Sequence, residues 1–281
     1  MIQYKFIGHS SVLIEVEGTR FITDPIVSRR ALVVPRKRPA GYDVDDLADI
    51  DFVLLSHAHW DHLDKPTLKK IARRSHARVI CPKGHMSLLR DLGFQAIFEL
   101  ARGQVFTVGD FNFSLTPVNH RGKRWLERHR HAAGIFVKGC GHAFWFAGDT
   151  GYRNDFSIGM QDCHPDVALI PIGAYEPREW FHMMHMAPEE GLQAFIDVGA
   201  TYMLPIHWGA FKLTREAIHE PPLVLRELVR DRPDLAQRIW WLEPGEQRTF
   251  APAEGAASAK ADWSAETNRT GRAVEPAPTE T

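Results

Sequence analysis

From position 56 the chain reads Ser56-His57-Ala58-His59-Trp60-Asp61-His62-Leu63-Asp64, which sets four potential metal ligands, His57, His59, Asp61 and His62, within six residues. Imidazole nitrogen and carboxylate oxygen are donors that suit zinc. In extended backbone, residues two apart point the same way, so His57 and His59 reach toward one ion. Asp61 and His62 then face a second. The stretch follows directly on residues 51–55, an apolar run that reads as a buried strand feeding a functional loop. A surface histidine cluster is the plain alternative, but packing is a poor reason for four such donors at the end of a buried strand.

A loop of this kind needs a rigid frame. Strands are expected at 10–16 and 20–23 around the turn Glu17-Gly18-Thr19, ending at Asp24-Pro25, where proline forbids continuation. A helix is expected to begin at Asp64, a good N-cap, with Pro66 in its first turn and Leu68, Ile71 and Ala72 at helical spacing. Further strands are expected at 78–81, 104–108, 111–118, 134–138, 143–147, 166–172 and 201–206, and helices at 83–92, 188–198 and 222–230. Pro188, Glu189 and Glu190 suit a first turn, and Gly199 a C-terminal stop. Strands with helices between them imply an α/β fold of two sheets with helices packed outside.

The 281 residues are 44% hydrophobic and 25% charged, an ordinary globular composition with length enough for one large core. Lys and Arg total 34 against 35 Asp and Glu, a net charge of -1 that offers no basic field for nucleic acid. The three cysteines, Cys81, Cys140 and Cys163, form no Cys-x-x-Cys pair, which argues for a reducing compartment. No apolar run approaches the roughly 18 residues of a membrane helix, and the start lacks a signal-peptide core. The expectation is a cytoplasmic protein, with peripheral contact at the inner membrane face and a homo-oligomeric state left open. Residues 251–281 are nearly free of large apolar side chains and are expected to form a disordered tail after one domain over 1–250.

With its His-x-His-x-Asp-His signature, the chain resembles the metallo-β-lactamase superfamily of dinuclear metallohydrolases. The resemblance implies an αββα sandwich with the site at one edge and three more ligands at strand ends. His120 after Thr116-Pro117-Val118-Asn119, Asp149 in Ala147-Gly148-Asp149-Thr150-Gly151 and His207 after Leu204-Pro205-Ile206 stand in the expected order. As in that family, His57, His59 and His120 are assigned to one ion and Asp61, His62 and His207 to the other, with Asp149 bridging. The ions are expected to be two zinc, with manganese the alternative. Most remaining histidines, among them His9, His76, His85, His129, His131, His142, His164, His182 and His219, are expected to be ordinary surface or helix residues.

Gly148-Asp149-Thr150-Gly151-Tyr152, Pro171-Ile172-Gly173-Ala174-Tyr175-Glu176-Pro177-Arg178, Pro188-Glu189-Glu190, Ile206-His207-Trp208-Gly209 and Glu220-Pro221-Pro222 look like the N-acylphosphatidylethanolamine-hydrolysing phospholipases D, and Gly8-His9 and Thr23-Asp24-Pro25 fit as well. The departures are Trp60, where the mammalian enzymes carry tyrosine, and the missing long N-terminal extension. The resemblance implies a phosphodiesterase. Two divalent ions, offset by Asp61, Asp149 and a hydroxide, leave a site near +1 that holds an anionic diester. Metal lowers the pKa of bound water to about 7, and the hydroxide attacks phosphorus in line. Besides Asp61, the residue given a catalytic role is His185, which matches that family's substrate-contacting histidine and would bind a phosphate oxygen or protonate the leaving alkoxide.

Asp24 and Asp64 are candidates to orient the ligand imidazoles, with an Asp-Pro turn and a helix cap as their plainer roles. Residues 29–38 put five bases around a small apolar patch suited to anionic headgroups, or form a solvated loop with a buried tip. Residues 180–186, Trp-Phe-His-Met-Met-His-Met, would line an acyl channel or simply pack. A lactonase acting on a phosphorylated sugar and a non-catalytic metal-binding protein are the rivals. A nuclease of the same superfamily is disfavoured, because the 58 positions from Asp149 to His207 leave no room for a large inserted domain.

Overall fold

Period-2 alternation of large apolar side chains decides the layers. The computed structural model describes residues 2–122, 130–160 and 163–250, and the tail expected over 251–281 lies outside them, as does His129. In chain order the strands are β1 (Ile2–Gly8), β2 (Ser11–Val16), β3 (Thr19–Thr23), β4 (Arg30–Ala31), β5 (Val34–Pro35), β6 (Phe52–Leu54), β7 (Arg78–Pro82), β8 (Ala96–Leu100), β9 (Val105–Val108), β10 (Phe111–Thr116), β11 (Gly134–Gly139), β12 (His142–Phe146), β13 (Val167–Pro171), β14 (Tyr202–Ile206) and β15 (Gln247–Phe250). The helices are α1 (Lys65–Arg74), α2 (Met86–Leu89), α3 (Arg178–Phe181), α4 (Pro188–Asp197), α5 (Glu220–Leu228) and α6 (Pro233–Ala236). One sheet has the order β15-β1-β2-β3-β6-β7-β8, the second the order β14-β13-β12-β11-β10-β9, and β4 pairs with β5 in a small hairpin.

Phe52 and Leu54 of β6 point between the sheets and meet Phe21, Phe113, Phe144 and Phe146 there. Val53 and Leu55 point the other way, onto Leu68 and Ile71 of α1. In the second sheet Phe144 and Phe146 turn inward, while Trp145 turns outward to a layer with Phe195 of α4 and Leu225 of α5. Burying each such side chain stabilises the fold by about 1.5–3 kcal/mol, so alternation on two sheets creates three apolar layers and hence the expected αββα sandwich.

The hairpin turn forms at Glu17 and Gly18, both at positive φ (47° and 83°), as a primed turn demands. Asp64 caps α1 by accepting from Thr67 N. The helix expected over 83–92 shrinks to Met86–Leu89. Gly84 sits at φ 99°, and the Glu99 carboxylate accepts the backbone N–H groups of Gly84, His85 and Met86, so the preceding residues are held outside any helix.

Candidate metal centre

β3, β6, β7 and β8 run parallel, as do β12, β13 and β14. The C-terminal ends of such strands gather loops at one edge. Asp24 follows β3, the His57-to-His62 loop follows β6, Asp149 follows β12 and His207 follows β14, while His120 follows β10. Glycine makes the convergence possible at two points. Gly148, at φ 63°, passes so close to the loop after β6 that a Cβ would lie 2.6 Å from Ser56 Cβ, and a Cβ on Gly173 would lie 2.2 Å from the His207 carbonyl oxygen.

The seven residues come together in two groups that share one carboxylate. His59 Nδ1 lies 3.0 Å from His57 Nε2 and 3.1 Å from His120 Nε2. Asp61 Oδ2 lies 3.4 Å from His62 Nε2 and 3.5 Å from His207 Nε2. Asp149 Oδ2 stands between the groups, 3.1 Å from His62 Nε2, 3.2 Å from His207 Nε2, 3.8 Å from His57 Nε2 and 4.0 Å from His120 Nε2. A tetrahedral ion with bonds of about 2.0–2.1 Å spaces its ligands about 3.3 Å apart, close to most of these separations.

Their partners fix where the lone pairs point. Ser56 Oγ donates to Asp24 Oδ2 at 2.5 Å and so accepts from His57 Nδ1 at 2.9 Å. His62 Nδ1 donates to Asp24 Oδ2 at 2.6 Å, and His120 Nδ1 donates to the Met184 carbonyl at 3.0 Å. In the neutral imidazole a proton on Nδ1 leaves Nε2 as a bare acceptor. As neutral imidazoles, His57, His62 and His120 therefore turn Nε2 lone pairs toward the cluster. His62 Nε2 and His207 Nε2 reach only the Asp61 and Asp149 carboxylates, and Asp149 Oδ1 is buried without a hydrogen-bond partner. A positive charge must lie among donors so arranged, either protons on His62 and His207 or a bound cation, and imidazole and carboxylate donors suit a divalent metal.

Comparison with known proteins identifies the family. The family described as "Beta-lactamase superfamily domain" matches residues 19–208. The chain belongs to this superfamily. It is 34% identical over 250 residues, 82% of its length, to N-acyl-phosphatidylethanolamine-hydrolyzing phospholipase D 1 of Caenorhabditis elegans, and that alignment covers 70% of the worm protein. It is 35% identical over 227 residues, 76% of its length, to an uncharacterized protein of Mycobacterium tuberculosis, of which it spans only 60%. The solved structure of a metallo hydrolase from the archaeon Ignicoccus hospitalis superposes with a TM-score of 0.70 at 23% identity, covering 89% of this chain and 98% of that one. The protein is thus a metal-dependent hydrolase of the metallo-β-lactamase superfamily.

Charge in this superfamily site is finely divided. Burial, reinforced by the imidazoles of His62, His59 and His120, holds His57 neutral, well below its usual range. Burial lowers His59 as well, and brings His120 down to about 4 against the pull of Asp149. In the other group burial loses. Asp149 and Asp61 raise His62 well above its ordinary value, and Asp149 lifts His207 to about 9. The two carboxylates, despite burial, are held far below the usual carboxylate range, Asp61 with His62 and Asp149 with His207 as the leading partner. Without metal, protons fill the Asp61 group, and metal must displace them.

Of the two orienting candidates, Asp24 is one and Asp64 is not. Asp24 grips His62 and both the N–H and the hydroxyl of Ser56, whereas Asp64 accepts from Thr67 and Ser28 as a helix cap. His185 reaches the cluster: its Nδ1 lies 3.8 Å from Asp149 Oδ2, and burial brings it down to about 3. Three histidines expected to be ordinary are buried: His85, His142 and His9. His9 borders the Asp61 group, with Nε2 3.0 Å from Asp61 Oδ2. Its sequence signals were the polar Gly8-His9-Ser10-Ser11 run straight after an alternating stretch and the fit of Gly8-His9 to the phospholipase D pattern.

The basic stretch 29–38 is the β4–β5 hairpin with an exposed, not buried, tip: Leu32 and Val33 are 47% and 77% exposed. Arg36 turns inward to the carbonyls of Ser28 and Ile26 and over the Phe211 ring, and Arg38 pairs with Glu243, which leaves fewer free bases than the sequence implied. Trp180 and Met183 stand 65% and 58% exposed, whereas Met186 joins the layer under α4.

Proposed function

We propose that the protein is a dinuclear zinc phosphodiesterase of the N-acylphosphatidylethanolamine phospholipase D type. The position of Asp149 Oδ2 between two sets of imidazole nitrogens carries the dinuclear part of this reading. His57, His59 and His120 would hold one ion, Asp61, His62 and His207 the other, with Asp149 shared; the same donors accept manganese. When bound, the ions supply Lewis acidity and a water acidic enough to serve as nucleophile near neutral pH.

The chain's own residues do the rest. Asp61 and Asp149 offset about half the charge of two divalent ions, so the pocket stays positive and favours an anionic diester over a neutral ester. His185, on the loop that also supplies the Met184 carbonyl to His120, is neutral and donates a hydrogen bond to a phosphoryl oxygen rather than a full proton. Trp180 of α3 and Met183 just after it offer apolar surface to an acyl chain. The name of the worm relative supports the lipid substrate. No helix among the described residues is long and apolar enough to cross a membrane. A cytoplasmic location, with the Leu32 and Val33 tip touching the inner membrane face, belongs to the same proposal.

Turnover of the zinc-loaded protein against N-acylphosphatidylethanolamine vesicles, bis-p-nitrophenyl phosphate and a sugar-phosphate lactone tests it. Hydrolysis of both diesters and not the lactone is expected. Lactone turnover alone would replace this reading with the lactonase, and full metal loading with no turnover of any substrate would leave a metal-binding protein.

A further inference from the structure

We propose that His9 is a positioning residue that fixes Asp61 and His207 around one of the two ions without ligating it. The inference rests on the dinuclear reading above.

Ile2, Tyr4 and Phe6 alternate into the core, and the strand then breaks at Gly8 (φ 118°) and His9 (φ 60°). Left-handed backbone is unfavourable for a non-glycine residue and persists only where its surroundings hold it there. Here they do so from both sides of the residue. The His9 carbonyl accepts from His207 N at 2.9 Å, and the His9 ring lies across the His207 ring with centroids 4.2 Å apart, edge-on to Phe211 at 5.2 Å. The Nε2 end meets Asp61 Oδ2 at 3.0 Å.

An ionised carboxylate only accepts, so the proton in this contact sits on His9 Nε2. A nitrogen that carries a hydrogen has no lone pair for a metal. Although one of its ring nitrogens falls within 4.8 Å of a donor atom of each of Asp61, His62 and His207, His9 is therefore a donor to the carboxylate and not a further ligand. One lone pair of Asp61 Oδ2 is taken up, which sets the plane of the carboxylate and leaves the other for the ion. Backbone and side chain of one residue thus hold two ligands from distant parts of the chain. The other group has supports of its own, Ser56 for His57 and Met184 for His120, and needs nothing from His9.

The test compares His9→Asn with His9→Gln. Asparagine tolerates left-handed backbone, but its amide ends near the Nδ1 position, short of Asp61; glutamine places an N–H near Nε2. Zinc uptake is measured by equilibrium dialysis against chelator-buffered zinc with elemental analysis, alongside thermal melts in chelator. Wild type is expected to take two ions. His9→Asn should hold one at unchanged affinity and the other about 10- to 100-fold more weakly, and His9→Gln should recover most of that loss. Wild-type affinities for both ions in His9→Asn overturn the proposal. So does an equal loss of both ions in both variants, which marks a merely structural role. A wild type that binds a single ion refutes the dinuclear reading instead; the role of His9 then survives only if His9→Asn weakens that ion.

Discussion

Asp24→Asn is the sharpest test of how the ligands are aimed. The carboxylate takes Ser56 N at 2.8 Å on one oxygen, and His62 Nδ1 at 2.6 Å and the Ser56 hydroxyl at 2.5 Å on the other. Asparagine has nearly the same shape and can keep its oxygen on Ser56 N, but its NH2 then faces both His62 and the hydroxyl. To avoid opposing hydrogens, His62 must move its proton to Nε2, into the space meant for an ion. The Ser56 hydroxyl, deprived of its acceptor, turns its hydrogen toward His57 Nδ1 and drives the His57 proton to Nε2 as well. On the proposed dinuclear assignment, one substitution thus inverts a ligand of each ion. Losing such a partner costs about 10- to 100-fold in metal affinity, or about 1.4–2.8 kcal/mol at about 1.4 kcal/mol per tenfold, and here both ions suffer. Asp24→Ala is a blunter probe: it strands three buried groups at about 1–3 kcal/mol each and threatens the fold itself. Equilibrium dialysis against buffered zinc, with melting curves to show that Asp24→Asn folds, gives the answer. Two ions bound at wild-type affinity would refute the proton arrangement on which the metal centre is argued.

Elemental analysis of gently purified protein should find two transition-metal ions per chain, and chelation should abolish turnover; one ion or none in active protein contradicts the dinuclear site. The melting temperature of chelated protein should peak near pH 6.5. On the acid side, His120 (about 4), His9 and His185 (about 3 each) are depressed when folded, so their stability is full above the unfolded value of about 6.5 and is lost as pH falls. On the alkaline side, His207 is raised to about 9, so its stability is full below about 6.5 and is lost as pH rises through 9; a flat profile from pH 4 to 9 would count against these environments. His185→Ala should keep both metals and slow an alkyl phosphodiester and a p-nitrophenyl diester by similar factors, about tenfold or more, because a hydrogen bond to phosphate is lost in each; a loss confined to the alkyl ester would mean that His185 supplies a proton. Deleting residues 251–281, just beyond the buried Phe250 that pairs with Ile2, should leave melting temperature and turnover unchanged within error.

The donor-rich loop was legible because its four donors fall within six residues after a strand, and most strands were legible because β6, β12 and β13 carry dense apolar runs and β10 alternates apolar with polar. The partners of those donors were not. Asp24 meets His62 across 38 positions and His9 meets Asp61 across 52, and no local spacing encodes such a contact. Asp24-Pro25 and Asp64 looked alike as carboxylates beside prolines; only the direction of each side chain separated an orienting group from a cap. Ile2, Tyr4 and Phe6 alternate as a half-buried strand does, although β1 lies before the first of the expected strands at 10–16. β15 gave no signal at all, since Gln247, Arg248 and Thr249 are exposed and only Phe250 turns inward.

The first sheet is built from the first hundred residues plus the returning β15, and the second from the residues between Val105 and Ile206. Neither sheet by itself holds all seven residues. His57, His59, Asp61 and His62 come from one half; His120, Asp149 and His207 come from the other. Metal loading therefore reports on docking. A chain emerging during synthesis cannot close the centre until β14 is out and laid against its sheet, and an ion that binds then acts as a cross-link across the seam. Chelation should loosen that seam before it melts either half, with amide exchange rising first in the loops after β6, β12 and β14 and last in the strands behind them.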